Sequence, residues 1–416
     1  MLASTIIRDA RRAGFPIRSL TPLGSLRRYA PDIGDVSLLA VAPPDRYTNL
    51  INVFTRMPFV TKVLRASLDT AAVSTERGPV TLYFTAPEDA GAALVWHTGS
   101  RAHTAALQTR ARERGLTFDN GLLLNAAGQR VAAVTEDELY RHLDLPYIPP
   151  ELREGTDEIA RAVEGNLPHL VSEMHIRGDL HMHSTWSDGR NSIEEMVTAA
   201  AHLGYQYVAI TDHSESAWSS RKLARIDIPR QRDEIAALRG SAPGIEILHG
   251  IEVDIMPDGS LDFDDEILAG FDIVLASLHD DAGQDGRSLT ARYLGAIRHP
   301  LVNVITHPAN RSPAMSIGYE LDYDLMFAAA AETGTAMEID GAPGHLDMDG
   351  LVARRAIAAG VTVTIDSDCH RADALARQMR FGLGTARRGW IEPRDVLNTR
   401  GVEAVRDFVS RKRAYR

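Results

Sequence analysis

Histidines and carboxylates recur in the second half of the chain at spacings that could bind metal ions. His181 and His183 are separated by one residue, so an extended segment would place both imidazoles on one side. Neutral imidazole is a common protein ligand for Zn, Mn and Fe ions. Seven further candidates follow along the chain: Asp188, His213, Glu252, His279, His307, Asp368 and His370.

This mixture of imidazoles and carboxylates suits several closely spaced divalent cations. Such clusters clamp a phosphate and lower the pKa of bound water to about 7, which makes hydroxide available at neutral pH. Taken singly, each candidate is more typical of a structural histidine or a turn carboxylate. Taken together and in this order, the nine residues indicate metal-assisted hydrolysis of phosphate esters.

The elements that must position these residues alternate between short apolar strands and helical patterns. Apolar residues at Ile193, Met196 and Ala200, for example, have helical spacing. Strand–helix alternation predicts parallel strands, and here a closed α/β barrel. The seven predicted strands are Asp179–His181, Tyr207–Thr211, Ile245–Leu248, Ile273–Ser277, Val302–Thr306, Ala336–Ile339 and Val361–Ile365.

The candidate ligands cluster at the carboxyl ends of these predicted strands. His181 ends the first strand, and five later strands are each followed within about four residues by a candidate ligand. The functional face of an α/β barrel lies at the carboxyl ends of its strands. The sequence therefore predicts a single metal site on that face.

A proline-rich connector near residues 145–155 indicates a second, smaller domain before the barrel. We predict an α+β domain over residues 1–150, a linker and helix over 151–176, and the barrel over 177–416. Helical spacing continues from Asp157 to Val171. The smaller domain has a strand-like segment, Val80–Thr85, and a helical pattern that ends at Gly115.

Composition is typical of a soluble globular protein. The chain has 416 residues, a net charge of −11 and 44% hydrophobic residues. No apolar run is long enough to cross a membrane and no secretory signal is visible, so a cytoplasmic location without membrane partners is expected. Cys369 is the only cysteine, which excludes an intrachain disulfide and suggests a small buried residue.

The barrel half of the sequence resembles the PHP (polymerase and histidinol phosphatase) superfamily. All nine candidate ligands match positions of that family's ligand pattern. The resemblance implies a distorted (β/α)7 barrel and a trinuclear site for Mn²⁺ or Zn²⁺, or for Fe²⁺.

Several residues beside the ligands are candidates for supporting roles. Asp212 and Asp254 adjoin ligands and could orient imidazole rings, or they could be ordinary turn residues. Arg221, Arg311 and His345 could contact substrate phosphate, or they could lie on the solvated surface.

The first half of the sequence resembles the palm of family X DNA polymerases, which are similar to polymerase β. In that family a Gly-Ser-x-Arg-Arg motif holds the nucleotide triphosphate, and it matches Gly24, Ser25 and Arg28 here. The chain begins close to this motif, so we do not expect the upstream helix-hairpin-helix DNA-binding domain of the family.

Two of the three carboxylates that bind Mg²⁺ in that family are replaced in this sequence. Asp35 is retained, but the other two positions hold Ser37 and Thr81. One carboxylate cannot hold two Mg²⁺ ions on a triphosphate. The sequence therefore predicts a degenerate palm without polymerase activity.

The favoured function is a PHP-type phosphoesterase that acts on DNA ends, as a 3′–5′ exonuclease or a 3′-end-processing hydrolase. One alternative is a small-molecule phosphatase of the histidinol-phosphate type, acting on another phosphate ester. The second alternative is a non-enzymatic scaffold that binds nucleic acid or a protein partner. The complete set of nine ligands argues against the scaffold.

Overall fold

The computed structural model describes residues 2–12, 14–17, 20–217, 219–241, 244–313 and 316–414. The chain forms two compact units, Met1–Leu167 and Pro168–Arg416, called here unit 1 and unit 2. Within the described ranges, no helix has both the length and the apolar content needed to span a bilayer.

Unit 1 is built on a mixed five-stranded sheet in the order β1-β2-β5-β4-β3. Strands β2 and β5 are parallel, and the other neighbouring pairs are antiparallel. The strands are β1 (Leu20–Pro22), β2 (Val36–Val41), β3 (Lys62–Ala66), β4 (Thr70–Thr75), β5 (Gly78–Thr85), β6 (Thr117–Asp119) and β7 (Leu122–Leu124). The helices are α1 (Leu2–Arg12), α2 (Gly24–Arg27), α3 (Tyr47–Phe54), α4 (Ala90–Thr98), α5 (Arg101–Glu113), α6 (Glu136–His142) and α7 (Glu158–Val163).

A buried polar triad links three of these helices. His103 of α5 has its Nδ1 2.7 Å from Glu158 Oε1 of α7 and its Nε2 2.9 Å from the Tyr140 hydroxyl of α6. The three side chains are buried, so each polar contact satisfies a group that water cannot reach. The triad therefore fixes α5, α6 and α7 against one another.

The helical spacing from Asp157 to Val171 overestimates the length of the helix that forms there. Helix α7 ends at Val163. Gly165 follows with a φ of +72°, a conformation that suits glycine and ends helices. Pro168 then restricts the backbone further, so the segment leaves unit 1 without helical structure.

Unit 2 is a seven-stranded parallel sheet in the order β14-β13-β12-β11-β10-β9-β8. A parallel bridge between Met182 and Cys369 joins its two edges, so the sheet is a nearly closed barrel and that prediction is confirmed. The strands are β8 (Gly178–Met182), β9 (Tyr207–Ile210), β10 (Glu246–Asp254), β11 (Ile273–Ser277), β12 (Val304–Ile305), β13 (Ala336–Asp340) and β14 (Val363–Asp366). The helices are α8 (Ile193–His202), α9 (Ile228–Ser241), α10 (Asp265–Leu268), α11 (Gly286–Arg298), α12 (Tyr323–Thr333), α13 (Gly350–Ala358), α14 (Leu375–Arg388) and α15 (Val402–Ala414).

Strand β10 is longer than the sequence predicted, and this changes the setting of Glu252. The predicted strand ended at Leu248, but the structure continues it to Asp254. The first half of β10 pairs with β9, and from Gly250 onwards the strand pairs with β11. Glu252 is therefore held inside a strand and does not lie in the loop after it.

The inner face of strand β13 changes from apolar to polar along its length. On β13 the inward positions are Ala336, then Glu338, then Asp340, because alternate residues share a face. At the amino ends of the strands, an apolar inner cluster is completed by Val405 and Phe408 of α15. Hydrophobic packing thus fills one end of the barrel and leaves polar groups at the other.

Gly91 in α4 tests the packing of unit 1. A Cβ at this position would overlap the backbone carbonyl of Thr135. We expect Gly91→Ala to lower the free energy of unfolding by about 1–3 kcal/mol, because backbone must move to admit the methyl group. Urea unfolding followed by circular dichroism measures this.

Gly34 provides the matched control, since a Cβ there would meet no atom within 4 Å. Gly34→Ala should leave the unfolding midpoint close to that of the wild type. Equal midpoints for the two variants would contradict the packing described for α4.

Candidate metal centre

All nine candidate ligands meet at the carboxyl end of the barrel. His183 Nε2 lies 3.1 Å from His181 Nε2 and 3.0 Å from Asp368 Oδ1. On the outer side, His370 Nε2 lies 3.1 Å from Asp188 Oδ1. Residues from the segments that follow the first and last strands of the barrel are therefore in direct contact.

Glu252 lies at the centre of this group and is fully buried. Its Oε2 lies 2.7 Å from His213 Nδ1, and its Oε1 lies 3.0 Å from His307 Nε2. Imidazole nitrogens of His181, His183 and His279 lie 3.4, 3.6 and 3.7 Å from the same carboxylate. One carboxylate thus contacts five imidazoles from four separate segments of chain, since His181 and His183 lie on the same one.

The geometry fits divalent cations better than it fits hydrogen bonding. Three buried atoms of the cluster have no hydrogen-bond partner among the described residues, although nitrogen or oxygen atoms of other side chains lie close by. They are Asp188 Oδ1, His213 Nδ1 and Glu252 Oε2. Ligands that bind one ion at about 2.0–2.2 Å are themselves separated by about 3–3.5 Å. The separations of 3.0 and 3.1 Å around His183 fall in that range.

Three overlapping groups in the described chain have ligand atoms close enough to hold a metal ion. In each group the ligand atoms lie within 4.8 Å of one another. His183 and His213 each belong to two groups, so neighbouring sites would share side chains. The groups are His183, Asp188, His213 and His370; His181, His183 and Asp368; and His213, Glu252 and His279.

The electrostatics of the cluster also favour cations. Burial opposes ionisation of Glu252 and Asp368, yet the surrounding imidazoles hold the pKa of both carboxyls well below the usual range. Burial alone would lower the pKa of His279, but Glu252 and Asp254 raise it to about 9. The cluster therefore retains protons on imidazole in the absence of another cation, and a metal ion would displace them.

Burial keeps one central imidazole neutral. The pKa of His183 falls to about 3, because burial and the neighbouring His370 and His213 all disfavour its charged form. Neutral imidazole is the form that binds metals. His183 is therefore ready to act as a ligand at neutral pH.

The backbone is strained at two candidate ligands. His307 has a φ of +24° and Asp368 a φ of +46°, values that non-glycine residues rarely adopt. Such strain concentrates at functional sites, where the surrounding structure imposes it. The loop that carries Asp188 is constrained differently, because a Cβ at Gly189 would lie 2.6 Å from the backbone oxygen of Ser184.

The two aspartates proposed as supporting residues have different contacts. Asp254 Oδ1 lies 2.9 Å from His279 Nδ1, which is the contact expected of a residue that orients an imidazole. Asp212 has no imidazole within hydrogen-bond distance in the described chain. Its carboxylate accepts hydrogen bonds from the amides and hydroxyls of Ser184 and Ser187, so it fixes the loop that precedes Asp188.

Glu338 is a central residue that the sequence interpretation missed. Its Oε1 lies 2.7 Å from His181 Nδ1, and its Oε2 accepts a hydrogen bond of 2.9 Å from the backbone amide of His307. A fully buried carboxylate thus joins two candidate ligands from β8 and from the end of β12. The available signal was a charged residue inside the predicted strand Ala336–Ile339, whose other residues are apolar.

A cavity of about 360 Å³ opens onto the cluster. Besides candidate ligands, it is lined by Ser219, Asn310 and His345. Arg221 and Arg311 do not line it, and Arg221 instead donates a hydrogen bond of 3.0 Å to the backbone oxygen of Gly189. Of the three residues suggested to contact phosphate, His345 alone faces this cavity.

Cys369 is buried, as expected, and burial raises the pKa of its thiol to about 12. Its Sγ lies 3.1 Å from Gln378 Oε1. The thiol therefore packs beside the site as a neutral group.

In unit 1, Ser37 of β2 and Thr81 of β5 are paired in register on adjacent strands. The two positions at which the palm carboxylates are replaced therefore lie side by side. Asp35 is exposed and accepts a hydrogen bond of 3.1 Å from the Ser37 hydroxyl. Gly24 begins α2, which also contains Ser25.

The arginine of the triphosphate motif is already paired in unit 1. Arg28 Nε lies 2.9 Å from Glu154 Oε1, and the guanidinium also contacts the backbone oxygen of Thr98. The neighbouring Arg27 forms two hydrogen bonds of 2.7 Å with Glu136. Both guanidinium groups thus have protein partners.

Two family models match the chain. The model for the DNA polymerase beta thumb matches residues 93–154, and the model for the PHP domain matches residues 179–303. A protein from Thermoanaerobacter sp. (strain X514), named as a probable phosphatase, is 30% identical over 247 residues, which cover 56% of this chain and 95% of that protein. The chain belongs to the PHP family.

A second relative extends the similarity of this PHP family member into unit 1. DNA polymerase/3′-5′ exonuclease PolX of Bacillus subtilis (strain 168) is 37% identical over 346 residues. The match covers 83% of this chain, and the chain spans 58% of the length of that relative. The PHP domain is thus preceded by a polymerase β thumb, and the resemblance to PHP-containing family X polymerases is confirmed.

A probable phosphatase from Syntrophotalea carbinolica is 28% identical over 250 residues. The match covers 58% of this chain and 98% of that protein. The region of similarity is therefore about as long as the PHP domain and does not cover the whole chain.

Glu338→Gln tests whether this buried carboxylate supports the cluster. The amide retains the shape of the side chain but loses the charge that orients His181. We expect metal affinity to fall by about 10–100-fold, the usual effect of removing such a partner. Competition with a chromogenic chelator measures the affinity.

Glu332→Gln is the matched control, because Glu332 is exposed on α12. It should bind metal as the wild type does. Wild-type affinity in Glu338→Gln would show that the contact with His181 is not needed.

Proposed function

We propose that this chain is a metal-dependent phosphoesterase whose active centre is the nine-residue cluster of the PHP domain. The observation that carries the proposal is the convergence of five imidazoles, two aspartates and Glu252 in three groups of ligand atoms, with His307 joined to them through Glu252. Several of their buried atoms have no hydrogen-bond partner among the described residues. Three divalent ions, Mn²⁺ or Zn²⁺ or else Fe²⁺, fit the three overlapping groups of ligands.

Ions bound there would polarise phosphate oxygens and make hydroxide available at neutral pH. The protein's own side chains bind and orient. Glu252 would hold an ion together with His213 and His279, while Glu338 and Asp254 hold the rings of His181 and His279 in place. Asp212 fixes the loop that presents Asp188.

We propose DNA ends as the substrate, with hydrolysis in the 3′–5′ direction or as 3′-end processing. The similarity to the Bacillus polymerase and exonuclease supports this choice, because it spans both units. The absence of a transmembrane helix in the described ranges is compatible with such a substrate, and we propose a cytoplasmic location.

A small-molecule phosphatase is the second candidate. The relatives named as probable phosphatases support it, since the matched region covers 95–98% of two of them. On this alternative, unit 1 would have no part in substrate choice. The two candidates differ in whether a long phosphodiester is cleaved.

The test is a substrate screen with the Mn²⁺- or Zn²⁺-loaded full chain. We expect shortening of a labelled single strand from its 3′ end. His183→Ala and Glu252→Ala should each lower hydrolysis by at least about a thousandfold, because each removes a side chain shared by the cluster. Circular dichroism should show that the fold persists.

His299→Ala is the control, since His299 pairs with Asp265 away from the cavity. Its activity should match that of the wild type. Cleavage of small monoesters with intact oligonucleotides would favour the phosphatase, and activity in both cluster variants would refute the assignment of the site.

We further propose that unit 1 does not polymerise DNA. Asp35 is the one carboxylate at the three matched positions, and Ser37 and Thr81 cannot replace the missing charge on Mg²⁺. The pairing of Arg28 with Glu154 also occupies the group expected to bind triphosphate.

We expect no primer extension by the full chain with any deoxynucleoside triphosphate and Mg²⁺ or Mn²⁺. Gel analysis of a labelled primer–template measures this. Extension that disappears in Asp35→Ala would show that the palm is active.

A further inference from the structure

The side chains that line the cavity over the metal cluster are all of polar or ionisable types. There are nine of them, and no lysine, arginine or large apolar side chain is among them. A nucleobase or aryl group is normally held by apolar or stacking aromatic side chains, and four of the five imidazoles in this lining are candidate metal ligands. The cavity therefore suits the phosphate and sugar of a substrate better than a base.

The lining has two chemically different parts. Six of the nine residues are candidate metal ligands, which would surround the reacting phosphate. The other three are Ser219, Asn310 and His345, which belong to loops after β9, β12 and β13. A side chain without a permanent charge is suited to form a hydrogen bond with a neutral hydroxyl group. The phosphate would instead bind the metal ions on the opposite side of the cavity.

The loop after β13 holds His345 in a fixed orientation. Its backbone amide donates a hydrogen bond of 3.0 Å to Ala342 O. The imidazole stacks on that of His307, with ring centroids 4.8 Å apart and planes at 17°. Nδ1 of His345 is buried and has no hydrogen-bond partner among the described residues. The ring is thus held in place beside the cavity, and no hydrogen bond within the described chain occupies its nitrogens.

Asn310 is held beside it by the loop after β12. Its amide nitrogen donates to the Tyr319 hydroxyl at 2.9 Å, and its backbone amide donates to His307 O at 2.8 Å. Its φ of +43° lies in the left-handed region. Within the described chain the side-chain carbonyl of Asn310 makes no hydrogen bond, so it too can accept one from a ligand.

We propose that Asn310 and His345 form a subsite for the sugar hydroxyl groups of the nucleotide whose phosphate is hydrolysed. This inference rests on the proposed phosphoesterase function and adds the part of the substrate that is recognised. Because no large apolar side chain lines the cavity, recognition would depend on the terminal sugar and be largely independent of sequence.

The experiment compares two strands that differ by a single hydroxyl. One labelled oligonucleotide ends in a 3′-hydroxyl and the other in a 3′-deoxy terminus, and kcat/KM is measured for each with the Mn²⁺-loaded full chain. We expect the wild type to prefer the hydroxyl terminus by about tenfold, the effect of leaving buried polar groups unpaired.

His345→Phe keeps a ring to stack on His307 but removes both ring nitrogens. Asn310→Gly keeps the left-handed backbone but removes the amide. In both variants we expect the ratio between the two strands to fall towards one. Ser219→Ala is the control within the same cavity, because the Ser219 hydroxyl already donates to Arg221 O at 2.6 Å, and it should keep the wild-type ratio.

The ratio of kcat/KM between the two strands distinguishes loss of hydroxyl recognition from a general loss of activity. A purely structural defect lowers both rates and leaves the ratio unchanged, and metal content measured for each variant reports loss of ions. A wild type that cleaves both strands equally, or variants that keep the wild-type ratio, would overturn the subsite. Failure to cleave either strand would instead count against the proposed DNA substrate.

A binding measurement with small phosphate esters tests the subsite without an oligonucleotide. Isothermal titration compares 2-deoxyribose 5-phosphate with ethyl phosphate on the metal-loaded protein. We expect tighter binding of the sugar phosphate by the wild type and equal binding of the two by His345→Phe. Equal affinities in the wild type would refute the subsite, whatever the natural substrate.

Discussion

A buried carboxylate surrounded by imidazoles is the constraint on which unit 2 depends. Glu252 is fully buried, and nitrogens of five histidines lie within 3.7 Å of it. A carboxylate removed from water in this way is costly unless positive charge compensates it. The barrel supplies that compensation through protonated imidazoles, and divalent cations would supply it more fully. The polar end of the barrel is thus organised around one charge.

The architecture separates this charge from the apolar cluster at the opposite end of the barrel. Apolar side chains with α15 fill one end of the barrel, and polar side chains follow on the same inner face. Stability and chemistry are therefore divided between the two ends of the same strands. This division allows unpartnered polar atoms and strained residues such as His307 to persist, because well-packed elements hold them.

The sequence was sufficient to predict the seven strands and the convergence of the nine residues, because strand alternation and strand-end histidines are local signals. It was not sufficient for the length of β10, since that strand changes partner at Gly250. Glu338 was missed because it lies within a strand and not after one. The contacts of Asp212 depend on serines 25 and 28 residues away, which spacing alone does not reveal.

The contact between Met182 and Cys369 has a consequence for assembly. Those two residues lie at opposite edges of the sheet, so His181, His183, Asp368 and His370 meet only after the whole ring has formed. Bringing together segments this distant in sequence is slow, because the entropic cost of closing the loop comes before the contacts that stabilise the closed state. During synthesis, a chain released before β14 would contain seven of the nine candidate ligands and yet lack the pairing that completes the centre.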